Sequence, residues 1–258
     1  MERRPRVGIF DSGIGGLSVL KQCLNILPYA DYLYLGDNAR APYGSRSTEE
    51  ITAFTAEALD VFREREVDVA VLACNTATAV CINEMRMRYE FPIVGVEPAV
   101  SLAARRKHVL VLVTPRTAES ARLHTLLSNY PDVHFEVVAL PNLAAAIEAH
   151  FTRSAPLTLS DHLPAESACD CAVLGCTHYA LIAEEIERYL RMPVYDGAEG
   201  AARRASQLVF LGRDFHLYPP MTTTTTPEIS VEFLGNSKEL NENVYKTNIR
   251  FQYFRKKL

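Results

Sequence analysis

Short apolar runs alternate along this chain with longer segments of helical period. The runs are Val7–Phe10, Tyr32–Leu35, Val67–Leu72, Ile93–Val96, Val109–Val113, Phe135–Ala139, Ala172–Leu174 and Val194–Tyr195. Several are apolar at nearly every position, as strands covered on both faces are. Between them, Glu50–Arg65, Thr78–Tyr89, Ala118–Asn129, Leu181–Leu190 and Ala201–Leu211 keep their charges on one side of a 3.6-residue repeat. Ser47 and Glu50 are spaced as a capping box at the start of one such helix. The alternation predicts an α/β fold with mostly parallel sheets.

The pattern also repeats itself. Asp68-Val-Ala-Val-Leu-Ala-Cys74 and Asp170-Cys-Ala-Val-Leu-Gly-Cys176 agree at five of seven positions, and a helical segment follows each. Valine and leucine match easily between any two buried strands, but a cysteine at the same exit does not. Each copy reads as a strand that delivers a cysteine at its carboxyl end, where ligands bind in open α/β sheets. Two similar halves predict two similar domains, residues 1–97 and 98–205, with a tail from about 206 to 258 returning to the first. In that tail Pro219-Pro220-Met221 and the threonines Thr222 to Thr226 read as a linker. A strand is expected at Ile229–Leu234 and a helix at Glu239–Phe254. The basic end, Arg255-Lys256-Lys257, suits a helix C-terminus.

Composition narrows the function classes. With 258 residues, 48% hydrophobic and 22% charged, the chain has the make-up of a soluble globular protein with a sizeable core. No run of about 18 apolar residues occurs, so no membrane span is expected. The basic start, Met1 to Arg6, leads only into Val7–Phe10, too short for the about 7–15 apolar residues of a secretory signal. A net charge of -4 argues against nucleic acid as a partner. Without a leader, the six cysteines read as reduced thiols rather than disulfides.

Three places carry candidate chemistry. Asp11-Ser12-Gly13-Ile14-Gly15-Gly16 leaves the first strand and opens a helix, but matches neither G-x-G-x-x-G nor a Walker A pattern. Asp11 would repel phosphate, and fits an ammonium group or a neighbouring base better. Asp37 to Gly44 is a second polar loop after a strand; a plain surface turn explains it more readily than function does. Cys74, followed by Asn75-Thr76, and Cys176, followed by Thr177-His178, form a matched pair. A lone strand-end cysteine is usually packing; two in matching halves suggest work on two faces of one small substrate. His178 is placed to tune Cys176, and Asp11 to tune Cys74. The spacing of Cys169, Cys171, Cys176 and His178 is not a standard zinc pattern, and no metal is expected. Cys23, Cys81, Cys169 and Cys171 read as packing, the last two on one face of an extended strand and Cys176 on the other.

Taken in order, Asp11-Ser-Gly-Ile-Gly-Gly-Leu-Ser, Pro42-Tyr-Gly, Ala73-Cys-Asn-Thr-Ala, Gly95-Val-Glu-Pro98 and Gly175-Cys-Thr-His-Tyr closely resemble the glutamate racemase family, over residues 6 to about 213. The resemblance implies two similar, mostly parallel-sheet α/β domains related by pseudo-two-fold symmetry, with glutamate held in an active site between them and no cofactor. It implies that Cys74 takes the α-proton of D-glutamate and Cys176 that of L-glutamate. Asp11 and His178 are then their catalytic partners. Asp11, Ser12, Tyr43, Gly44, Asn75, Thr76, Thr177 and His178 occupy the substrate-binding positions. It further implies D-glutamate supply for peptidoglycan synthesis in a bacterial cytoplasm, and a homodimer. The chain departs from the family pattern at Val113-Thr114-Pro115-Arg116-Thr117 and at Pro141 to Glu148. An aspartate racemase, an amino-acid-binding protein without turnover and a one-thiol cysteine hydrolase are the alternatives.

Overall fold

The structure, a computed structural model, describes residues 3–211 and 227–233. Its strands form two parallel sheets. The first runs β4 (Ile93–Gly95), β3 (Val69–Leu72), β1 (Arg6–Asp11), β2 (Asp31–Gly36) and β9 (Ile229–Phe233). The second runs β8 (Val194–Asp196), β7 (Cys171–Gly175), β5 (His108–Val113) and β6 (His134–Ala139). Without β9 the two orders are the same order written twice.

Register shows how deep the repeat goes. Phe10 lies beside Leu72, and Leu112 beside Leu174, so β1 and β3 map onto β5 and β7 with one constant offset of 102 residues. The aspartates that open the repeated motif do the same work in both copies. Asp68 accepts from the Arg6 N–H at 2.7 Å, and Asp170 from the His108 N–H at 3.0 Å. Arg6 and His108 are the first residues of β1 and β5. A chance match between apolar strands would not conserve that polar contact.

Helices cover both faces of each sheet, as parallel strands require. On the first sheet, α1 (Leu17–Ile26) and α10 (Ala198–Leu211) pack over Val7, Ile9, Tyr34 and Val71. On its other face α2 (Thr48–Glu64) and α3 (Asn75–Arg88) pack over Phe10, Leu35 and Leu72. The second sheet carries α7 (Leu143–Arg153), α8 (Thr177–Leu181) and α9 (Ala183–Leu190) on the face of Leu110, Leu112 and Leu174. Its other face, of Val109, Val111 and Val173, carries α4 (Val100–Ala103) and α6 (Ala121–Ser128). The short α5 (Pro115–Ala118) follows β5.

Several helix limits differ from the periodicity. The segment 118–129 breaks because the Ser120 hydroxyl accepts from the Leu123 N–H at 3.2 Å and starts α6 afresh. The segment 181–190 is split from α8 at Ile182, which is not helical. Helix α3 begins three residues early, because the Cys74 sulfur caps it. Helix α7 was not expected at all; its alanine run favours helix by propensity but shows little polar periodicity. Cys169 precedes β7 and packs toward the core that contains Leu110, whereas Cys171 faces the core of Val109; the two do not share a face. Within the expected strand at 229–234, residues 229–233 form β9; the expected linker and the helix at 239–254 lie outside the described residues. Among the described residues no helix is long and apolar enough to cross a membrane.

The capping box of α2 is complete: the Glu50 N–H donates to Ser47 Oγ at 3.2 Å and the Ser47 N–H to Glu50 Oε2 at 3.0 Å. Ser47→Ala removes one half of it and should cost about 1 kcal/mol. Urea unfolding should show a lower midpoint with an unchanged slope; an unmoved midpoint would mean that the cap adds nothing.

Candidate active site

The carboxyl ends of the two sheets face each other, and the polar residues just past the strands meet there. Asp11, the last residue of β1, is wholly buried. Its Oδ1 accepts from Thr177 Oγ1 at 2.9 Å, and its Oδ2 from the Gly13 N–H at 3.0 Å. Burial pushes its carboxyl up, while His178, Thr177 and the Gly13 and Gly16 N–H groups pull it back. Gly15 makes the contact between the halves possible, since a Cβ there would lie 2.6 Å from Thr177 Oγ1 and 2.7 Å from the His178 nitrogen.

Both candidate cysteines are buried, Cys74 at 5% and Cys176 at 7% exposure. Cys74 accepts from the Ala77 N–H at 3.5 Å and donates to Ser12 Oγ at 3.5 Å. It caps a helix of 14 residues, where the dipole favours negative charge. Burial and the nearby Asp11 outweigh that, and push the Cys74 thiol up to about 12. Cys176 is the counterpart before α8 and is near enough to act on Cys74 electrostatically.

His178 stands beside Cys176. Its Nε2 lies 2.5 Å from Glu148 Oε2. Burial disfavours its charged form, but hydrogen bonds to Cys176 and Glu148 and the charge of Glu148 prevail and hold it well above the ordinary histidine range. The charged form of the imidazole is thereby favoured next to the Cys176 sulfur. Glu148 also accepts from the Ile14 N–H at 3.1 Å and from Asn38 Nδ2, so this α7 residue reaches across to the first half.

Tyr43 is placed differently from a ligand-binding hydroxyl. Its ring lies between Phe10 and Phe54, and its O–H donates to the buried Asp37 at 2.5 Å. What the Tyr43–Gly44 turn can offer a ligand is backbone. Asn75 uses its amide to donate to the Val96 carbonyl at 3.2 Å, and Thr76 joins its hydroxyl to Thr114 and Thr117. Ser12, Asn75, Thr76, Thr177 and His178 are all buried. A cleft of about 670 Å³ between α3 and α6 is lined by none of these groups. Among the described residues no group of three or more His, Cys, Asp or Glu side chains converges as a metal would need.

Sequence and structure comparisons agree with this layout. Residues 13–205 match the Asp/Glu/Hydantoin racemase family. This chain belongs to that family. It is 34% identical over 221 residues to a glutamate racemase of Halothermothrix orenii, covering 79% of this chain and 85% of that one. It is 35% identical over 207 residues to one from Clostridium botulinum, covering 76% and 80%. The crystal structure of Escherichia coli glutamate racemase in complex with L-glutamate and activator UDP-MurNAc-ala superposes with a TM-score of 0.80 at 27% identity, covering 96% of both chains. That of the Francisella tularensis glutamate racemase in complex with D-glutamate gives 0.78 at 27% identity, covering 96% and 94%.

Within this member of the family, five polar residues reach the site without having been singled out as site residues: Asp37, Asn38, Thr114, Thr117 and Glu148. Asp37 and Thr114 follow directly on β2 and β5, so the strand-end rule that found Asp11 would have found them. Glu148 was legible only through α7, whose apolar stripe of Leu143, Ile147 and Phe151 sets it beside the core. Glu148→Gln removes the charge facing His178. The His178 resonances in an NMR titration should then shift to a lower pKa than in wild type; an unmoved titration would sever the link.

Proposed function

We propose that this protein is a glutamate racemase, an isomerase that interconverts L- and D-glutamate through two cysteine bases and without a cofactor. One observation carries the reading. A structural repeat delivers two buried thiols to the same small site, each with its own polar partner. The relatives named above are glutamate racemases, and two of their structures hold opposite enantiomers of glutamate.

The roles in this reading follow from the chemistry of racemisation and the family resemblance. A single fixed base would return the proton to the face it came from; two bases on opposite faces invert the centre. Cys176, beside the protonated His178, acts as the thiolate that takes the α-proton of L-glutamate. Cys74, whose burial favours the neutral thiol, delivers a proton to the other face. The reverse reaction exchanges these states. A thiol of pKa ~8.5 is far from matching an α-carbon acid, and each unit of mismatch is worth ~1.36 kcal/mol. Stabilising the carbanion therefore falls to the site. The hydroxyls of Ser12 and Thr76 and the nearby N–H groups donate to the substrate carboxylates, in a pocket from which water is excluded, while Thr177 spends its proton on Asp11 and holds that carboxylate in place. Asp11 takes the ammonium group. The Tyr43–Gly44 backbone completes the pocket.

In this reading the product D-glutamate feeds peptidoglycan synthesis in a bacterial cytoplasm, and the enzyme works as a homodimer, as the family resemblance implies. An aspartate racemase is the second reading, favoured only by the breadth of the family description.

Incubating the metal-free, pyridoxal-free protein with L-glutamate in D₂O should show loss of optical activity together with loss of the α-proton signal. Cys74→Ser and Cys176→Ser should each slow racemisation at least ~10²-fold, as loss of an acid–base group does. Wild-type racemisation by either variant would refute the two-thiol mechanism. Bound glutamate without exchange would leave a binding protein.

A further inference from the structure

Tyr34 is the fourth residue of β2, between Ile9 of β1 and Val231 of β9 in register. It is wholly buried and belongs to the first core. Its ring meets that of Phe233, the last residue of β9, edge-on at 6.0 Å between centroids. Its hydroxyl donates to the Gly13 carbonyl at 2.6 Å. Gly36 makes room for this contact: a Cβ there would lie 2.7 Å from the Gly13 oxygen and 2.7 Å from the Phe233 ring. Packing accounts for the ring. It does not account for the hydroxyl, since phenylalanine would offer the core the same apolar body.

The Gly13 carbonyl and the Ile14 N–H belong to one planar peptide unit and point in opposite directions. Tyr34 holds the oxygen, and Glu148 Oε2 accepts from the nitrogen at 3.1 Å. The same Oε2 faces His178 Nε2 at 2.5 Å. The preceding peptide is engaged as well, since the Gly13 N–H donates to Asp11 Oδ2 at 3.0 Å. Two consecutive N–H groups therefore hold two carboxyls that come from opposite halves. Glycine leaves the backbone more freedom than any other residue, so this loop depends on contacts that fix its peptides. Burial, with Asp11, Glu148 and Cys74 nearby, holds the Tyr34 phenol well above the ordinary tyrosine range. The group thus remains a protonated donor.

We propose that Tyr34 is a positioning residue for racemisation: its hydroxyl fixes the Gly13–Ile14 peptide so that the Ile14 N–H holds Glu148, and through it His178, beside Cys176. The inference rests on the two-thiol reading above. Tyr34 acts through the peptide and not on the substrate. Without its hydroxyl the Gly13 carbonyl loses this donor, and the peptide is free to turn its N–H away from Glu148. Any offset of Glu148 passes to His178, because the two are in contact. Misplacing a catalytic group by about 1 Å is enough to cost up to ~10²-fold in rate. Tyr34 lies in the first half and Glu148 and His178 in the second, so the contact also aligns the halves at the site.

The test is steady-state kinetics of the full chain with L- and D-glutamate, using wild type, Tyr34→Phe, Glu148→Gln and the double variant, together with the NMR shift of the Ile14 amide proton. Wild-type turnover stands apart as the check on the parent reading; its absence would remove both. With it present, Tyr34→Phe should lower kcat about 10-fold, as a misplaced acid–base group does. KM should stay within about threefold, since the lost contact serves the chemical step and not uniform binding. In the Glu148→Gln background the same change should alter kcat by less than about threefold, because residues of one network are not additive. The Ile14 amide proton should move upfield as its bond to the carboxylate weakens. An unchanged kcat with a lower urea midpoint would mean that the hydroxyl only adds stability. A fall of equal size in both backgrounds would mean that it does not act through Glu148. Either result would overturn the inference. If Tyr34→Phe does not fold, 4-fluorophenylalanine against 4-aminophenylalanine at position 34 makes the same comparison, since only the second has a donor that restores kcat.

Discussion

Removal of water from between two sheet edges is the condition on which the other features depend. Asp11 is fully buried and His178 has 2% exposure, yet both side chains are ionisable. Isolated charges would not survive such burial. Here each group has partners in the opposite half: Asp11 in Thr177, and the Glu148 that bonds His178 in Ile14 and Asn38. Folding of either half alone would leave these groups facing solvent or unpaired. The halves are thus joined both by the polar contacts of the candidate site and by an apolar seam beside it, where Phe151 and Leu181 pack against the first core as well as their own.

The repeat was readable from the chain because its information is local. Asp68 to Cys74 and Asp170 to Cys176 each contain a strand, its starting contact and its exit, and the structure realises them with one register. Both cysteines followed from that, and His178 from its place two residues past Cys176; Asp11 came instead from the polar loop after the first strand. Glu148 did not, because its place depends on how α7 lies across the second sheet, a tertiary fact with a faint sequence signature. Tyr43 was legible as a residue but not as a contact: only the fold shows that Asp37 engages its hydroxyl. Helix limits failed where a side chain competes with the backbone, at Ser120 and at Cys74.

Duplication supplied symmetric scaffolding, and the departures from symmetry are where function was added. Cys74 and Cys176 keep the repeat. Around them, Thr76 stands at the position equivalent to His178, and Val113 at that equivalent to Asp11. One thiol therefore lies by an imidazole that Glu148 engages and the other by a buried carboxyl. The substrate is itself asymmetric about its α-carbon, and a strictly two-fold site would not tell its ammonium from its side chain.

That imbalance meets a thermodynamic limit. Enantiomers have equal free energy in water, so the equilibrium constant of racemisation is one whatever the protein does. The Haldane relation then ties the forward and reverse values of kcat/KM to equality. In the two-thiol reading, the unequal surroundings of Cys74 and Cys176 can shift how tightly each enantiomer is held and how fast each bound form turns over, but only in compensating proportion. The polar differences between the halves therefore govern which enantiomer occupies the site at steady state, and leave the direction of net flux to supply and demand outside the molecule.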